Sequence, residues 1–118
     1  MAGELVHLVL YPRFTALTGA LGAEFKTTAL DVTDYVTATV NVWRGAVVGG
    51  SNCPFTFEES TDQLNWTECS GTTASTDPGE HTEIQVVAHL KKRWFRLKVE
   101  PSGGVTCWAL GALERRER

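Results

Sequence analysis

The chain of 118 residues predicts an all-β protein, an antiparallel β-sandwich or jelly roll of about eight strands. Three observations support this class. Apolar residues recur at every second position in several short segments. No long window shows the period of an amphipathic helix, and turns rich in glycine, proline and serine separate the segments. A chain of this length forms one domain, so we expect residues 1–118 to share a single core.

Two segments show the alternation most clearly. Between residues 92 and 100, we expect Phe95, Leu97 and Val99 to face the core and the alternate residues to face outward. Between residues 82 and 90, the positions that share a face with Val86 are expected to be buried. The remaining predicted strands are Leu5–Leu10, Phe14–Leu17, Phe25–Leu30, Ala38–Arg44, Phe55–Glu59, Asn65–Cys69 and Val105–Leu113.

Three shorter segments complete the expected layout. Residues 1–12 are predicted to form an N-terminal strand or arm, and residues 114–118 a charged C-terminal tail. Residues 30–35 predict a turn or a short helical piece in which Thr33 or Asp34 acts as the cap.

The stretch from Phe55 to Cys69 (FTFEESTDQLNWTEC) predicts a hairpin. Residues 60–64 form its tip, because serine, threonine and aspartate side chains bond to nearby backbone groups in turns. Trp66 on the returning strand is expected to pack against the adjacent strand or the facing sheet. Glu58 and Glu59 are adjacent and therefore point to opposite faces, which excludes paired carboxylate catalysis.

The sequence offers no metal, cofactor or catalytic site, and we expect the protein not to be an enzyme. Cys53, Cys69 and Cys107 are odd in number and widely spaced, which predicts buried free thiols and excludes a Cys-Xaa-Xaa-Cys zinc motif. His81 and His89 would lie on the outward side of one strand roughly 26 Å apart, too far to share a metal ion.

The net charge of -3 is distributed unevenly. Residues 91–118 carry eight basic and three acidic residues, a net +5, and residues 1–90 carry three basic and eleven acidic residues, a net -8. This asymmetry suits contacts with other copies of the chain or with a charged partner, although it also fits solvated strand faces. It is not the uniform basic surface of a nucleic-acid-binding protein, and no segment has the length of a membrane span.

The predicted interaction residues pair aromatic with basic side chains. Trp94 lies among basic residues on the outward side of its strand, which leaves three interpretations open. The ring stacks on nucleic-acid bases, anchors a protein interface, or packs beneath a loop among the stems of charged side chains. Trp43 and Arg44 form a second such pair. The predicted interface residues are Trp43, Arg44, Lys92, Trp94 and Arg96.

The order of five motifs resembles that of small β-sandwich structural proteins of tailed bacteriophages, such as head decoration (cement) or minor capsid proteins. The motifs are DVTDY, VNVWR, FEESTDQLNWT, RWFRLKV and GVTCWALG, at residues 31–35, 40–44, 57–67, 93–99 and 104–111. Gln63 stands where such hairpins often place glycine.

This resemblance implies a non-enzymatic virion protein that is made in the host cytoplasm and stabilises the assembled head. The implied partners are the major capsid protein lattice and copies of the chain itself. The alternative is a tail-associated or carbohydrate-binding sandwich module, which exposed aromatic residues on one flat face would support.

Overall fold

A computed structural model describes residues 5–72 and 75–116, and these residues form an antiparallel β-sandwich, which confirms the predicted fold class. The described residues contain no helix of the length and apolar character that a membrane crossing needs. The strands are β1 (Leu5–Leu17), β2 (Phe25–Lys26), β3 (Leu30–Asp31), β4 (Tyr35–Arg44), β5 (Phe55–Ser60), β6 (Thr67–Glu68), β7 (Ser70–Thr72), β8 (Ser75–Thr76), β9 (Thr82–His89), β10 (Trp94–Val99) and β11 (Val105–Arg115).

The strands form two sheets. Sheet A has the order β1-β11-β4-β9-β7. Sheet B has the order β2-β10-β5-β6, with β3 also pairing with β10 and β8 with β5. Sequence neighbours are therefore often not sheet neighbours, and β11 pairs with both β1 and β4.

The core lies between the sheets. Phe95, Leu97 and Val99 of β10 are fully buried, as the alternation predicts. The aromatic rings of Phe57 and Phe95 stack with their centroids 6.0 Å apart across the β5–β10 pair. On sheet A, the buried side chains include those of Ala38, Val40, Val42, Val86 and Ala88. The expected inner face of residues 82–90 is confirmed at its C-terminal half.

The N-terminal segment forms one edge strand where two strands are predicted. β1 runs for 13 residues and pairs with β11, with shifts in register between Val9 and Tyr11 and between Tyr11 and Thr15. Phe14 adopts a φ of 60°, a conformation that costs a residue other than glycine roughly 1–2 kcal/mol. The expected arm at residues 1–12 is thus a strand from residue 5 onward, and residues 1–4 lie outside the described part.

Other boundaries also differ from the prediction. The predicted strand Phe25–Leu30 is two short strands, β2 and β3, separated by residues 27–29. The segment between Cys69 and residue 82, for which no strand is predicted, contains β7 and β8. The predicted tail begins inside β11, which continues to Arg115, and residues 117–118 lie outside the described residues.

Residues 32–34 form a turn between β3 and β4, and residues 30–35 contain no helical piece. The carboxylate of Asp31 accepts hydrogen bonds from the main-chain N–H of Thr33 at 3.1 Å and from its hydroxyl at 2.6 Å. The side chain that closes this turn is therefore Asp31, and with no helix present neither Thr33 nor Asp34 acts as a cap. These two hydrogen bonds, with a further one from Arg93, lower the pKa of the Asp31 carboxyl.

The hairpin tip at residues 60–64 is confirmed. Asp62 Oδ1 accepts hydrogen bonds from the N–H groups of Leu64 and Asn65, both at 2.9 Å. Gln63 has a φ of 63°, so it occupies the left-handed conformation that glycine adopts without strain. The hydrogen bonds from Asn65 and Leu64 lower the pKa of Asp62 far below its usual value.

Candidate protein-docking face

The outer side of sheet A carries a cluster of aromatic rings. Because the side chains of Val40, Val42 and Arg44 point inward, Trp43 between them points outward. The register of β4 and β11 sets Trp108 directly opposite Trp43. We call the outer side of sheet A around these residues the aromatic face; its apolar members are Leu5, Val9, Phe14, Trp43, Trp108 and Leu110.

The rings pack closely on one another. Trp43 and Trp108 stack with their centroids 4.3 Å apart and their planes 13° from parallel. The ring of Phe14 meets Trp108 at 82° with a centroid distance of 5.4 Å, and the guanidinium of Arg13 lies 4.6 Å from the Trp108 centroid. Trp43 and the guanidinium of Arg13 lie too close to the Trp108 ring to share one of its faces, so they cover opposite faces. Trp108 is accordingly only 8% exposed.

The aromatic face continues toward the free edge of β1. Val9 lies opposite Leu110 of β11 and is 47% exposed, and Leu5 and Phe14 are each 69% exposed. Charged residues on this side include Glu83, opposite Trp43 in the register of β4 and β9, and Glu114, opposite Leu5 in that of β1 and β11. Exposed aromatic and aliphatic side chains beside an arginine are residue types that protein interfaces favour.

The outer side of sheet B is charged, and its charges pair with each other. Arg96 Nε lies 2.8 Å from Glu58 Oε1, and its guanidinium lies 4.0 Å above the ring of Trp66. Lys98 Nζ lies 3.6 Å from carboxylate oxygens of both Glu58 and Glu100. Trp66 therefore packs on the outer side of sheet B against a side chain of β10, and not against the facing sheet.

Two members of the predicted interface, Trp94 and Lys92, lie on this charged side near the start of β10. Trp94 is half-buried and sits between Asp31 of β3 and Ser60 of β5 in the sheet register. The guanidinium of Arg93 lies 4.9 Å from its ring centroid. Lys92 donates from Nζ to the Thr67 hydroxyl at 3.0 Å. This packing among charged stems corresponds to one of the three interpretations of Trp94, and its role in an interface stays a prediction.

Arg44 is buried, which differs from its predicted place in an interface. Its residue is 5% exposed, and its guanidinium points inward, with Nε 2.7 Å from Asp77 Oδ1 and Nη2 3.2 Å from Asp77 Oδ2. Nη1 donates to the carbonyl of Gly45 at 3.0 Å. A side chain held in this way ties the end of β4 to the following loops and is not presented to a partner. The structure thus divides the five predicted residues among two opposite faces and the interior.

The three cysteines are buried and unpaired, as predicted. Burial raises the pKa of the Cys53 and Cys69 thiols to about 12 and that of Cys107 to about 11. Such thiols are inert at neutral pH. Within residues 5–72 and 75–116, no group of three His, Cys, Asp or Glu side chains is placed to hold a metal ion.

Two further predictions concern glutamate and histidine residues, types that can serve in catalysis or metal binding. Glu58 and Glu59 do point to opposite sides, Glu58 toward Arg96 and Glu59 toward the main-chain N–H groups of Lys91 and Lys92. His81 lies in the turn before β9 and not on the strand itself, and its ring lies on the outer side of sheet A with its centroid 5.9 Å from that of Trp43.

Sequence reasoning missed Phe14 and Trp108 as functional candidates. The pairing of β4 with β11 brings Trp43 and Trp108 together, and a bulge in β1 brings Phe14 over them. The only local signal is the alternation in β4, which places Trp43 on the side away from the core.

Solved structures with similar folds include two prophage proteins. XepA, an exported protein of the prophage PBSX, matches with a TM-score of 0.67 and 18% identity, over 96% of this chain. The chain spans only 38% of the length of XepA. YomS, from the prophage SPBc2, matches with a TM-score of 0.63 and 15% identity, over 92% of this chain and 93% of YomS.

A carbohydrate-binding domain shares the architecture more distantly. The C-terminal CBM6 of LamC, a marine laminarinase from Zobellia galactanivorans, matches with a TM-score of 0.52 and 9% identity, over 94% of this chain and all of that domain. No protein-family model and no curated protein sequence matches the chain. At these identities the likeness shows the fold: a β-sandwich of the kind found in phage-derived proteins.

Proposed function

We propose that this chain is a non-enzymatic structural protein of a bacteriophage particle, a decoration protein that docks on the major capsid protein lattice through the aromatic face. The similarity to the fold of XepA and YomS, both from prophages, supports the phage setting. Its location would then be the virion, after synthesis in the host cytoplasm.

The outer sides of the two sheets differ in composition, and this difference favours sheet A as the docking surface. On sheet B, Arg96 and Lys98 pair with Glu58 inside the chain. On sheet A, Phe14 and Val9 present apolar side chains to solvent, being 69% and 47% exposed, next to the half-buried ring of Trp43. Burial of exposed apolar area gains roughly 25 cal/mol per Å², and large aromatic residues at the centre of an interface supply most of its binding energy.

Docking of this kind would stabilise the particle by mass action. A protein that binds the assembled shell and not its free subunits lowers the free energy of the shell. Many copies on a symmetric lattice, present as small homo-oligomers, would reach high occupancy even when each contact is weak.

The test is reconstitution on particles produced without this protein. Purified wild-type protein should co-sediment with such particles and raise their resistance to heat. The double change of Phe14→Ser and Val9→Lys should lower the affinity about tenfold or more, because it removes apolar contacts and introduces a charge. Leu64→Ser is the matched control, since Leu64 is exposed at the hairpin tip of sheet B. Equal binding by the double variant, or no binding by the wild type, contradicts the proposal.

The aromatic row and the CBM6-like architecture also raise carbohydrate binding as a second candidate. Sugar rings stack on open aromatic faces, yet both faces of Trp108 are covered, and Trp43 lies between Trp108 and His81. Among the described rings of the aromatic face, Phe14 is the most open, at 69% exposed. Glycan-array binding by the isolated protein that is lost in Phe14→Ser would decide for this candidate and against docking on protein.

A further inference from the structure

The net positive charge of residues 91–118 is not distributed evenly along β10. Arg96 and Lys98 are neutralised by Glu58 and Glu100 on the outer side of sheet B. The basic residues that precede β10 and follow β11 meet instead at one end of the sandwich. There they surround a cleft of about 200 Å³.

The cleft has an apolar floor and a cationic rim. Its floor includes Val32 and Leu90, both buried, with Tyr35 beside them. Its rim is formed by the cationic residues Lys91, Lys92, Arg93 and Arg116. Pockets for drug-sized ligands measure roughly 300–1,000 Å³, so this cleft has room for one or two side chains.

Main-chain hydrogen bonds hold the walls of the cleft in place. Val32 N–H donates to the Arg93 carbonyl at 2.7 Å, and Leu90 N–H donates to the Val36 carbonyl at 2.9 Å. Arg116 N–H donates to the Asp34 carbonyl at 2.7 Å. All the lining segments are therefore joined to one another before any ligand arrives, which lowers the entropy cost of binding.

The carboxylates near the cleft neutralise only part of the positive charge on its rim. Arg93 Nη2 lies 3.1 Å from Asp31 Oδ2. Glu59, in the interior, accepts main-chain hydrogen bonds from residues 91 and 92. Among the residues that the structure describes, no ion pair joins the side chains of Lys91, Lys92 or Arg116 to a carboxylate.

We propose that this cleft binds a carboxylate group on an acidic segment of a neighbouring protein, with an apolar side chain of that segment on the floor. The neighbour is a protein of the particle, so its identity rests on the proposed function, whereas the chemistry of the cleft does not. A nucleic-acid backbone fits less well. A phosphate chain leaves the apolar floor of Val32 and Leu90 empty, whereas an acidic segment with an apolar side chain fills it.

The test titrates the isolated full chain with a capped peptide, Glu-Glu-Leu-Glu-Glu, at low salt, by isothermal calorimetry and amide NMR shifts. We expect saturable binding with shifts at Val32, Leu90 and Arg93, and none with the Gln-Gln-Leu-Gln-Gln analogue. The double change of Lys91→Gln and Arg116→Gln should weaken binding about tenfold or more. Lys26→Gln, which removes an exposed cation elsewhere, should leave it unchanged.

Each contrary outcome overturns the inference. These outcomes are no binding, equal binding by the double variant, equal loss in Lys26→Gln, or tighter binding of an oligothymidylate or inorganic phosphate than of the peptide. Because the titration needs no particle, its failure alongside normal particle docking removes the cleft proposal alone. Peptide binding alongside a failure to dock removes only the proposed function.

Discussion

The carboxylate of Asp77 holds the guanidinium of Arg44 at 2.7 Å and also accepts hydrogen bonds from the main-chain N–H groups of Cys53 and Gly79, each at 3.0 Å. One side chain thus joins the end of β4, the start of β5 and the turn before β9. Burial raises the pKa of Asp77, but these hydrogen bonds outweigh it and the pKa is lowered overall.

Asp77→Asn should therefore lower the free energy of unfolding by about 2–3 kcal/mol, because it leaves the nearly buried Arg44 without a counter-charge. The measurement is urea unfolding at neutral pH. Glu24→Gln, in the exposed pair with Lys26, is the control and should cost less than about 0.5 kcal/mol. A loss as small as the control would mean that the Arg44–Asp77 pair does not stabilise the fold.

The same pair predicts the response to acid. Since the pKa of Asp77 is lower in the folded chain than in the unfolded chain, its contribution is present above about pH 4 and is lost as the pH falls through the folded value. In Asp77→Asn, the decline in stability below about pH 4 should be shallower than in the wild type. Parallel pH curves would contradict this assignment.

Gln63→Gly should stabilise the hairpin tip. Gln63 holds a φ of 63°, and a glycine removes the strain between its side chain and backbone. After subtraction of the greater entropy of glycine in the unfolded chain, we expect a gain of about 0.5–1 kcal/mol. Leu64→Gly, at the next exposed position, is the control and should destabilise the protein. Thermal unfolding of both variants at equal concentration makes the comparison.

Arg96→Lys should destabilise the outer side of sheet B although it preserves the charge. Lysine cannot place a planar group on the ring of Trp66 while bonding to Glu58. We expect a loss of about 1–2 kcal/mol in urea unfolding. Arg93→Lys, whose guanidinium pairs with Asp31 and lies over Trp94 at a more exposed site, should cost less. Equal effects at the two sites would show that the burial of Arg96 between Glu58 and Trp66 adds nothing.

The buried thiols predict a loss of stability at alkaline pH. Their pKa values are raised to about 11 or 12 in the folded chain, whereas an unfolded cysteine titrates at about 8.5. The neutral thiols stabilise the folded state fully below about pH 8.5, and this contribution falls as the pH rises toward the folded values.

Unfolding midpoints in urea should therefore decrease between about pH 8 and pH 10. Cys69→Ala should show a smaller decrease than the wild type, even though its midpoint at neutral pH is lower because of the cavity. A decrease that is as steep in Cys69→Ala as in the wild type would exclude ionisation of this thiol as a cause.

The fold class, the core side of β10 and the hairpin at residues 55–69 could be predicted from the sequence. Each depends on signals that act over a few residues: side chains alternate across a strand, and Ser60 and Asp62 bond to the backbone beside them. Strand ends were less accessible, since the short strands β2, β3, β6, β7 and β8 exist only where a partner strand supplies hydrogen bonds.

The aromatic face, the inward position of Arg44 and the basic cleft depended on the tertiary structure. Strand pairing in a sandwich joins residues that are distant in the sequence, and the register alone sets Trp43 opposite Trp108. The same pairing sets Glu58 beside Arg96, which removes the charge that local sequence assigned to an interface. By itself, the sequence determined which side of each long strand is apolar. Only the packing of the two sheets decided which polar and aromatic side chains meet each other and which remain for a partner.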